Sequence, residues 1–408
     1  MTEPLASAAD PLDVSRAELY AQHGWEEPFR YLREHDPVHY CPSSKFGPYW
    51  SISTYQPIID IEARPEIFSS SHKYGGSITI ADRPPGKRFP NFINMDAPEH
   101  TAQRMTVAPA FVSAELRRMG VDIRTRTAQI LDGLPWGEPF DWVDRVSVEL
   151  TTQMLAILFD FPWEDRRKLP FWSDVAGNIE AFSDPAAQEE RLKNLADMGA
   201  YFQRLWDERV SGDPAPDLLS RMIHSEAMGA MSMPEFIGAL SLLIIGGNDT
   251  TRNTMTALAY AFDKFPDQRA RLEADPSLAG QAFSEIVRWQ TPLAHMRRTC
   301  VTDTEVEGQT IKGGDKVILW YISANRDESV FPDADRLDIT RENARRHLAF
   351  GYGVHRCVGA RLAELQVVIL MEEMAKRRMR VKVLAEPTRV AQSFVNGYES
   401  MSVELQRY

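Results

Sequence analysis

The middle of the chain has the spacing of apolar residues that is typical of α-helices. Helical periodicity dominates residues 98–294, and a last long helix is predicted over residues 358–378. The clearest helix begins at Ser232, which forms an S-x-x-E capping box with Glu235, and it runs to Lys264. Its length is about 48 Å at 1.5 Å per residue. Its first half is apolar nearly all round, so it should be buried.

Shorter segments alternate with the period of β-strands. Two runs of β-branched and aromatic residues within residues 38–54 flank a Gly-Pro turn, which predicts a hairpin. Residues 296–322 predict short strands with Gly-containing turns, and strands should finish the chain. Between them, residues 72–95 form a loop rich in Gly, Pro and aromatics, with Arg-Pro-Pro-Gly at residues 83–86, as expected of a lid or binding loop.

The pattern contains no internal repeat and no clean linker. We therefore predict a mainly α fold with a small β portion, in which residues 1–408 form a single catalytic domain and residues 1–20 a loose N-terminal arm.

Composition narrows the possible functions. The 408 residues carry 46 basic and 58 acidic side chains, a formal charge of −12, which argues against nucleic acid as the main partner. The longest strongly apolar stretch, residues 236–247, is shorter than the roughly 20 residues of a membrane span. With no signal-peptide pattern and only three cysteines, we expect a cytoplasmic protein without a membrane anchor or disulfide framework.

One cysteine has an informative setting, in the sequence FGYGVHRCVG at residues 350–359. Glycines make a tight loop, and Cys357 then stands at the start of the last predicted helix. Free backbone N–H groups there favour the thiolate, Arg356 adds positive charge, and Phe350 could shield the sulfur. Such a thiolate is either a nucleophile or a metal ligand, although many single cysteines are only small buried hydrophobes.

A second motif, GGNDTT at residues 246–251, interrupts the long buried helix. Each glycine there disfavours the helix by about 1 kcal/mol relative to alanine, so something should approach the backbone closely. Gly246 and Thr250 are four residues apart and share a face. A hydroxyl beside a gap, next to the carboxylate of Asp249, suits proton delivery to a bound ligand. The alternative is a close helix crossing with a capping Asp-Thr pair.

The cysteine segment resembles, position by position, the haem-binding loop F-G-x-G-x-H-x-C-x-G of the cytochrome P450 family. The resemblance implies a haem-thiolate monooxygenase whose fold encloses haem b between the long central helix and the helix after the cysteine loop. Cys357 would be the axial iron ligand. The family's G-G-x-D-T motif matches as well, which implies that Asp249 is the acid of the proton relay and that Thr250 orients water on bound O2. Gly246 and Phe350 would lie against the haem.

Two further sets of residues follow from the same resemblance. Glu285 and Arg288 match the family's E-x-x-R, with Arg336 implied as the third member of a structural cluster. The haem propionates would be bound by His100, Arg104, Arg298 and His355.

The resemblance also locates a substrate wall, which includes the loop at residues 89–93. Its mostly apolar residues point to a hydrophobic substrate. The implied lining residues are Leu242, Ile245, Leu293, Ala294, Met296, Phe394 and Val395. His295 beside them stays unassigned. Residues 247–253 and 288–298 are similar to bacterial enzymes that hydroxylate medium-chain alkanes and fatty acids at the terminal carbon. A terpene or steroid substrate is the alternative.

The chain contains no flavin or iron–sulfur motif, so electrons must come from other proteins. By resemblance these are a [2Fe–2S] ferredoxin and an NAD(P)H-dependent ferredoxin reductase. Docking would use basic groups on the cysteine side of the haem: Arg104, Arg345, Arg346, Arg356 and Arg361. A peroxygenase would not need the Asp249-Thr250 pair, and a non-catalytic haem-binding sensor would not need an oxygen-activation groove.

Overall fold

The structure, a computed structural model, describes residues 10–82 and 89–408. The prediction of a mainly helical chain with a small β portion is confirmed. The helices are α1 (Ala17–Ala21), α2 (Glu26–His35), α3 (Tyr55–Glu62), α4 (Glu99–Val107), α5 (Ser113–Asp132), α6 (Glu149–Phe159), α7 (Lys168–Gly177), α8 (Pro185–Arg209), α9 (Leu218–Ile223), α10 (Met233–Lys264), α11 (Pro266–Ala274), α12 (Ala279–Gln290), α13 (Tyr321–Ala324) and α14 (Ala360–Lys376).

The strands form four small sheets in the described part of the chain. They are β1 (Val38–Cys41), β2 (Tyr49–Ile52), β3 (Phe68–Ser69), β4 (Phe140–Asp141), β5 (Met296–Cys300), β6 (Thr304–Val306), β7 (Gln309–Ile311), β8 (Lys316–Leu319), β9 (Met379–Val383), β10 (Thr388–Arg389), β11 (Tyr398–Ser400) and β12 (Ser402–Arg407). The largest sheet has the order β1-β2-β8-β5-β3, with β2 and β8 parallel and the other pairs antiparallel. The predicted hairpin is therefore β1 and β2. The other three sheets have the strand orders β4-β12-β9, β6-β7 and β10-β11.

The long helix α10 organises the helical part of the molecule. Its N-terminus has the predicted capping box between Ser232 and Glu235, and it ends at Lys264, two residues before the proline that opens α11. It contacts α6, α7, α8, α12 and α14, so most of its surface is buried in two hydrophobic clusters. In the described ranges, no helix combines the length and hydrophobicity that crossing a membrane requires.

The prediction of a loose N-terminal arm is wrong for residues 10–20. Val14 and Tyr20 are buried, and the Tyr20 hydroxyl donates to the Val14 carbonyl. Asp13 accepts a hydrogen bond from the hydroxyl of Tyr49 in β2 at 2.9 Å. Two buried apolar side chains and a buried carboxylate thus attach this segment to the sheet. Residues 1–9 and the Pro-rich part of the predicted loop, residues 83–86, lie outside the described residues.

Candidate active site

The cysteine loop, residues 350–359, places Cys357 in the wall of a cavity, three residues before α14 begins at Ala360. The N–H of Cys357 donates to the carbonyl of Phe350 at 2.8 Å, which closes the loop. Gly351 and Gly353 have φ values of +67° and +64°, a region that side chains disfavour. The glycine spacing of the motif is therefore a backbone requirement of this turn.

The electrostatics of Cys357 only partly match the prediction. The N–H groups of Gly359 and Ala360 and the guanidinium groups of Arg104 and Arg356 all favour the thiolate, as expected. Burial acts against them and is the larger effect, so the pKa of the thiol is raised above its ordinary value. The exposed surface of Cys357 belongs to the cavity wall. Coordination to a metal cation would favour the thiolate against this effect of burial.

The cavity in front of Cys357 has a volume of about 220 Å³ and predominantly apolar walls. Five of the predicted lining residues are present: Leu242, Ile245, Leu293, Met296 and Phe394. The loop before α4 contributes Phe89, Asn91, Phe92 and Ile93, as expected. A cavity of this kind suits a hydrophobic small molecule.

Two predicted lining residues, Ala294 and Val395, do not reach the cavity. Ala294 is fully buried and its N–H donates to the carbonyl of Phe394 at 2.9 Å, while Val395 forms a β-bridge with Leu293. Neighbouring residues in extended segments point to opposite sides. Leu293 and Phe394 therefore face the cavity and the next residue of each segment faces away. His295 is also structural, since its ring nitrogens meet the carbonyl of Ser393 and the N–H of Ile80.

Sequence reasoning missed much of the wall. The unpredicted residues include Ile78, Thr79, Phe111, Met154, Leu155, Leu158, Ala176, Gly177, Ile179, Phe182 and Arg191. They come from α6, α7, α8 and the segments between and before them. Ile78 and Thr79 lie within the loop predicted at residues 72–95. The apolar residues of α6 and α7, however, look like those of ordinary core-facing helices, so periodicity alone gives no signal that they border a cavity.

The two adjacent glycines of the motif in α10, Gly246 and Gly247, have different neighbours. Gly246 faces open space, because a Cβ atom there would have no atom within 4 Å, and it lines the cavity. A Cβ atom on Gly247 would lie 2.7 Å from Cδ2 of Leu155 in α6. Thr250 also lines the cavity, and its hydroxyl donates to the Gly246 carbonyl at 3.1 Å. Gly246 and Thr250 thus share the cavity face, as predicted, whereas Gly247, which also borders the cavity, packs tightly against α6.

Asp249 lies behind this face instead of lining the cavity. Its Oδ1 accepts from Ser173 in α7 at 2.8 Å and from the Asn248 amide at 3.0 Å, and it lies 3.2 Å from the Arg252 guanidinium. Arg252 also donates to Asp174, a largely exposed carboxylate, at 2.9 Å. Burial raises the pKa of Asp249, and Arg252 opposes this. The result is a chain of polar groups from the surface to the turn of α10 beside Thr250.

A cationic edge borders the cavity near the cysteine loop. Arg104, Arg298 and His355 line it, and the His100 ring lies against that of His355 with centroids 4.3 Å apart. His100 Nε2 and His355 Nδ1 are buried and have no hydrogen-bond partner among the described residues. Burial, with Arg298 as the next cause, lowers the pKa of His355 to about 2, so its ring is neutral.

The structural cluster behind the cysteine loop differs from the prediction in one member. Glu285 and Arg288 are fully buried and form two hydrogen bonds of 2.7 and 2.8 Å, as expected. Arg336 is wrong as the third member, since it is 55% exposed and pairs with Asp267. Arg341 instead donates its Nε to Glu285 at 3.1 Å. The backbone of Arg336 already lies against α12, since its carbonyl accepts from Arg288 Nη2 at 3.3 Å, but its side chain pairs with Asp267 at the surface, and Arg341 reaches the carboxylate instead.

An apolar cavity lies between the cysteine loop and α10, with a thiol and a cationic edge in its wall and open space beside Gly246. This arrangement is suited to an enzyme that works through a bound cofactor. Comparison with known proteins agrees. The profile of the family Cytochrome P450 matches residues 277–386. Linalool 8-monooxygenase of Pseudomonas putida is 34% identical over 401 residues, which cover 96% of this chain and 98% of the relative. A methyl-branched lipid omega-hydroxylase of Mycobacterium tuberculosis is 32% identical, covering 92% and 90%.

Solved structures show the same fold at higher identity. Cytochrome P450-153 from Novosphingobium aromaticivorans has a TM-score of 0.93 and 54% identity, covering 97% of this chain and all of that chain. CYP153D17 from Sphingomonas sp. PAMC 26605 has a TM-score of 0.93 and 61% identity, covering 98% and 100%. The chain belongs to the cytochrome P450 family and is a monooxygenase.

Family membership implies haem with a cysteine thiolate ligand, and the residues present fit that group. Of the three cysteines, Cys357 is the one that lines the cavity, while Cys41 and Cys300 are buried elsewhere. The orphaned nitrogens of His100 and His355 stand with Arg104 and Arg298 at one edge, as donors for carboxylates would. The space above Gly246 leaves room for a ligand beside the α10 backbone.

Proposed function

We propose that this cytochrome P450 hydroxylates the terminal carbon of a medium-chain alkane or fatty acid. The observation that carries the proposal is the arrangement of the cavity: Cys357 lies in its wall, Gly246 and Thr250 share its α10 face, and apolar side chains line most of the rest. Bound haem supplies the oxidising chemistry, by which one atom of O2 enters a C–H bond and the other leaves as water.

In this proposal Cys357 Sγ would bind the haem iron and the cationic edge would hold the propionates. Arg104 is held by a hydrogen bond of 2.6 Å to the carbonyl of Arg356, inside the cysteine loop. Arg298 is held from behind by Glu62 at 2.7 Å. The rings of His100 and His355 complete the donor set. Together these residues would hold the group beside the cysteine loop.

Proton delivery is the proposed role of Asp249 and Thr250. Asp249 would take up protons from the surface side, where Asp174 is exposed, while the permanently charged Arg252 holds the two carboxylates together; the buried, raised-pKa carboxyl of Asp249 suits an acid. Thr250 presents its hydroxyl at the cavity face and holds water there. Replacing Thr250 by alanine should uncouple NAD(P)H consumption from product. Tight coupling in that variant would contradict the role.

The substrate class is supported by the cavity walls and by the relatives. A primary C–H bond reacts only if the chain end is presented and the rest of the chain is held away. The methyl-branched lipid omega-hydroxylases at 32% identity favour an elongated substrate attacked at its end. The linalool 8-monooxygenase at 34% identity favours a terpenoid as second candidate.

Two measurements test this proposal. The ferrous carbon monoxide complex must show the red-shifted Soret band of thiolate ligation. A panel of alkanes, fatty acids and terpenes is then screened for a substrate-induced spin shift, and products are analysed for position. Hydroxylation spread equally along octane or dodecanoate would contradict terminal selectivity, and a stronger spin shift with linalool would favour the second candidate.

Bacterial enzymes of this family generally receive electrons from partner proteins, and we propose a [2Fe–2S] ferredoxin with an NAD(P)H-dependent reductase here. Arg345, Arg346, Arg356 and Arg361 are exposed on or beside the cysteine loop and α14. Arg345 has 75% of its side chain exposed and only a long contact of 3.6 Å to Glu364. An acidic ferredoxin would be attracted to this face.

Arg345→Glu should raise the KM for the ferredoxin while leaving the substrate-induced spin shift unchanged. Lys382→Glu, the same change of charge at an exposed position of β9, is the matched control. Equal KM values in the two variants would remove the docking proposal.

A further inference from the structure

Glu62 is a buried carboxylate behind the cationic edge of the cavity, in a position that the sequence motifs do not mark. It is the last residue of α3 and is 4% exposed. Its Oε1 accepts hydrogen bonds from Arg298 Nη2 and from the Tyr321 hydroxyl, both at 2.7 Å. Its Oε2 accepts from the N–H of Tyr352 at 2.9 Å. One carboxylate therefore joins β5, α13 and the cysteine loop.

The backbone of the cysteine loop lies directly against the end of α3. A Cβ atom on Gly353 would lie 2.5 Å from the carbonyl oxygen of Glu62. A Cβ atom on Gly351 would lie 3.3 Å from the Tyr321 hydroxyl. Two glycines of the loop are thus needed for the approach to Glu62 and its hydrogen-bond donor, in addition to the positive φ values. The contact leaves the loop little freedom to move relative to Glu62.

The contact is also electrostatic. A buried carboxylate is destabilising unless it is paired and hydrogen-bonded, and here it has one guanidinium and two further donors. Burial raises the pKa of Glu62, while Arg298, Tyr321 and Tyr352 act to lower it. Arg298 also donates Nη1 to the carbonyl of Arg297 at 2.9 Å. The guanidinium is therefore fixed at two points while it lines the cavity.

We propose that Glu62 is a positioning residue for the haem: it fixes Arg298 and the cysteine loop relative to each other, and its charge lowers the reduction potential of the iron. This inference rests on the proposed ligation of haem by Cys357. A fixed negative charge in a water-poor region disfavours the addition of an electron nearby. Because the guanidinium of Arg298 is already paired with Glu62, it would neutralise the negative charge of the propionates less than an unpaired guanidinium would.

The test compares midpoint potentials of the haem-loaded, substrate-free protein. Glu62→Gln keeps the size of the side chain and removes its charge. We expect the equilibrium constant for reduction to increase about tenfold, which makes the midpoint potential more positive by ~59 mV for one electron. Glu66→Gln removes the same charge from an exposed residue four positions later and should leave the potential unchanged. Equal potentials for these two variants and the wild type would overturn the proposal.

Two conservative variants separate charge from shape. Glu62→Asp keeps the charge on a shorter side chain, so its midpoint potential should stay near that of the wild type. Its thiolate carbon monoxide band should disappear at a lower denaturant concentration than that of the wild type. Tyr321→Phe removes a donor from the carboxylate and should move the potential in the negative direction, which keeps the charge testable if Glu62→Gln does not retain haem. A positive shift in Glu62→Asp as large as in Glu62→Gln would overturn the electrostatic part.

The carbon monoxide spectrum of the wild type distinguishes the two proposals. With the thiolate band present and the potentials unmoved, only the role of Glu62 fails. Without the band in the wild type, the proposed ligation fails, and the inference about Glu62 fails with it.

Discussion

The two sides of the cavity are held by different interactions. On the cysteine side, Cys357 and its loop are fixed by buried charged groups, notably Glu62 with Arg298 and Glu285 with Arg288. On the opposite side, the wall is assembled from α6, α7, α8, α10 and the loop before α4, mainly through apolar contacts. Hydrogen bonds and ion pairs require defined geometry, whereas apolar contacts tolerate exchange of similar volumes. The cysteine side is therefore suited to constant chemistry and the opposite wall to variable substrates.

The largest effect is expected where the cysteine side meets the cofactor. Cys357→Ala should abolish monooxygenase activity and the red-shifted carbon monoxide band, because no other described cysteine lines the cavity. Cys300→Ala, at a buried cysteine of β5, is the control and should keep both. Activity retained by Cys357→Ala would refute thiolate ligation by this residue.

The next effect tests the buried ion pairs. Glu285→Gln leaves the fully buried Arg288 without its counterion, so we expect a loss of about 3–5 kcal/mol in the free energy of unfolding. Arg336→Gln at the exposed pair with Asp267 should change it by at most about 1 kcal/mol. Urea unfolding of the haem-loaded proteins measures both. Equal losses would mean that Arg336, and not Arg341, completes the cluster.

A third prediction concerns the α10 side. Asp249→Asn keeps the hydrogen-bonding shape but removes the acid, and should slow product formation by roughly 100-fold. Asp174→Asn, at the exposed end of the same chain of polar groups, should have a smaller effect because water can replace it. Steady-state product formation with saturating ferredoxin provides the comparison. Similar rates for Asp249→Asn and the wild type would exclude Asp249 from proton delivery.

The smallest effects on stability are expected at the two adjacent glycines of α10, Gly246 and Gly247. Gly247→Ala places a methyl group against Leu155 and should lower the free energy of unfolding by about 1 kcal/mol. Gly246→Ala adds a methyl group to the open cavity face, so it should gain up to about 1 kcal/mol in stability while weakening the substrate-induced spin shift. Leu155→Val in the Gly247→Ala background should restore stability. The reverse pattern would mean that the two glycines are assigned to the wrong neighbours.

The sequence predictions succeeded for local motifs and failed where distant segments meet, on both sides of the cavity. Motifs contiguous in the chain correctly placed Cys357, Gly246 and Thr250 on the cavity, because backbone geometry holds neighbouring residues together. The prediction that Arg336 completes the cluster failed, because the folding of the loop after α13 decides which arginine side chain points at Glu285. Ala294 and Val395 failed because the face of an extended segment is set by its pairing with another segment.

The sequence by itself determined the helical class, the length and cap of α10 and the turn of the cysteine loop. These depend on local rules: apolar period, capping residues and glycine at positive φ. The tertiary structure alone decided which side chains line the cavity, that Arg341 completes the buried cluster, and that Glu62 meets Arg298, a residue 236 positions away. Those contacts arise only when distant segments pack together, and no short-range pattern encodes them.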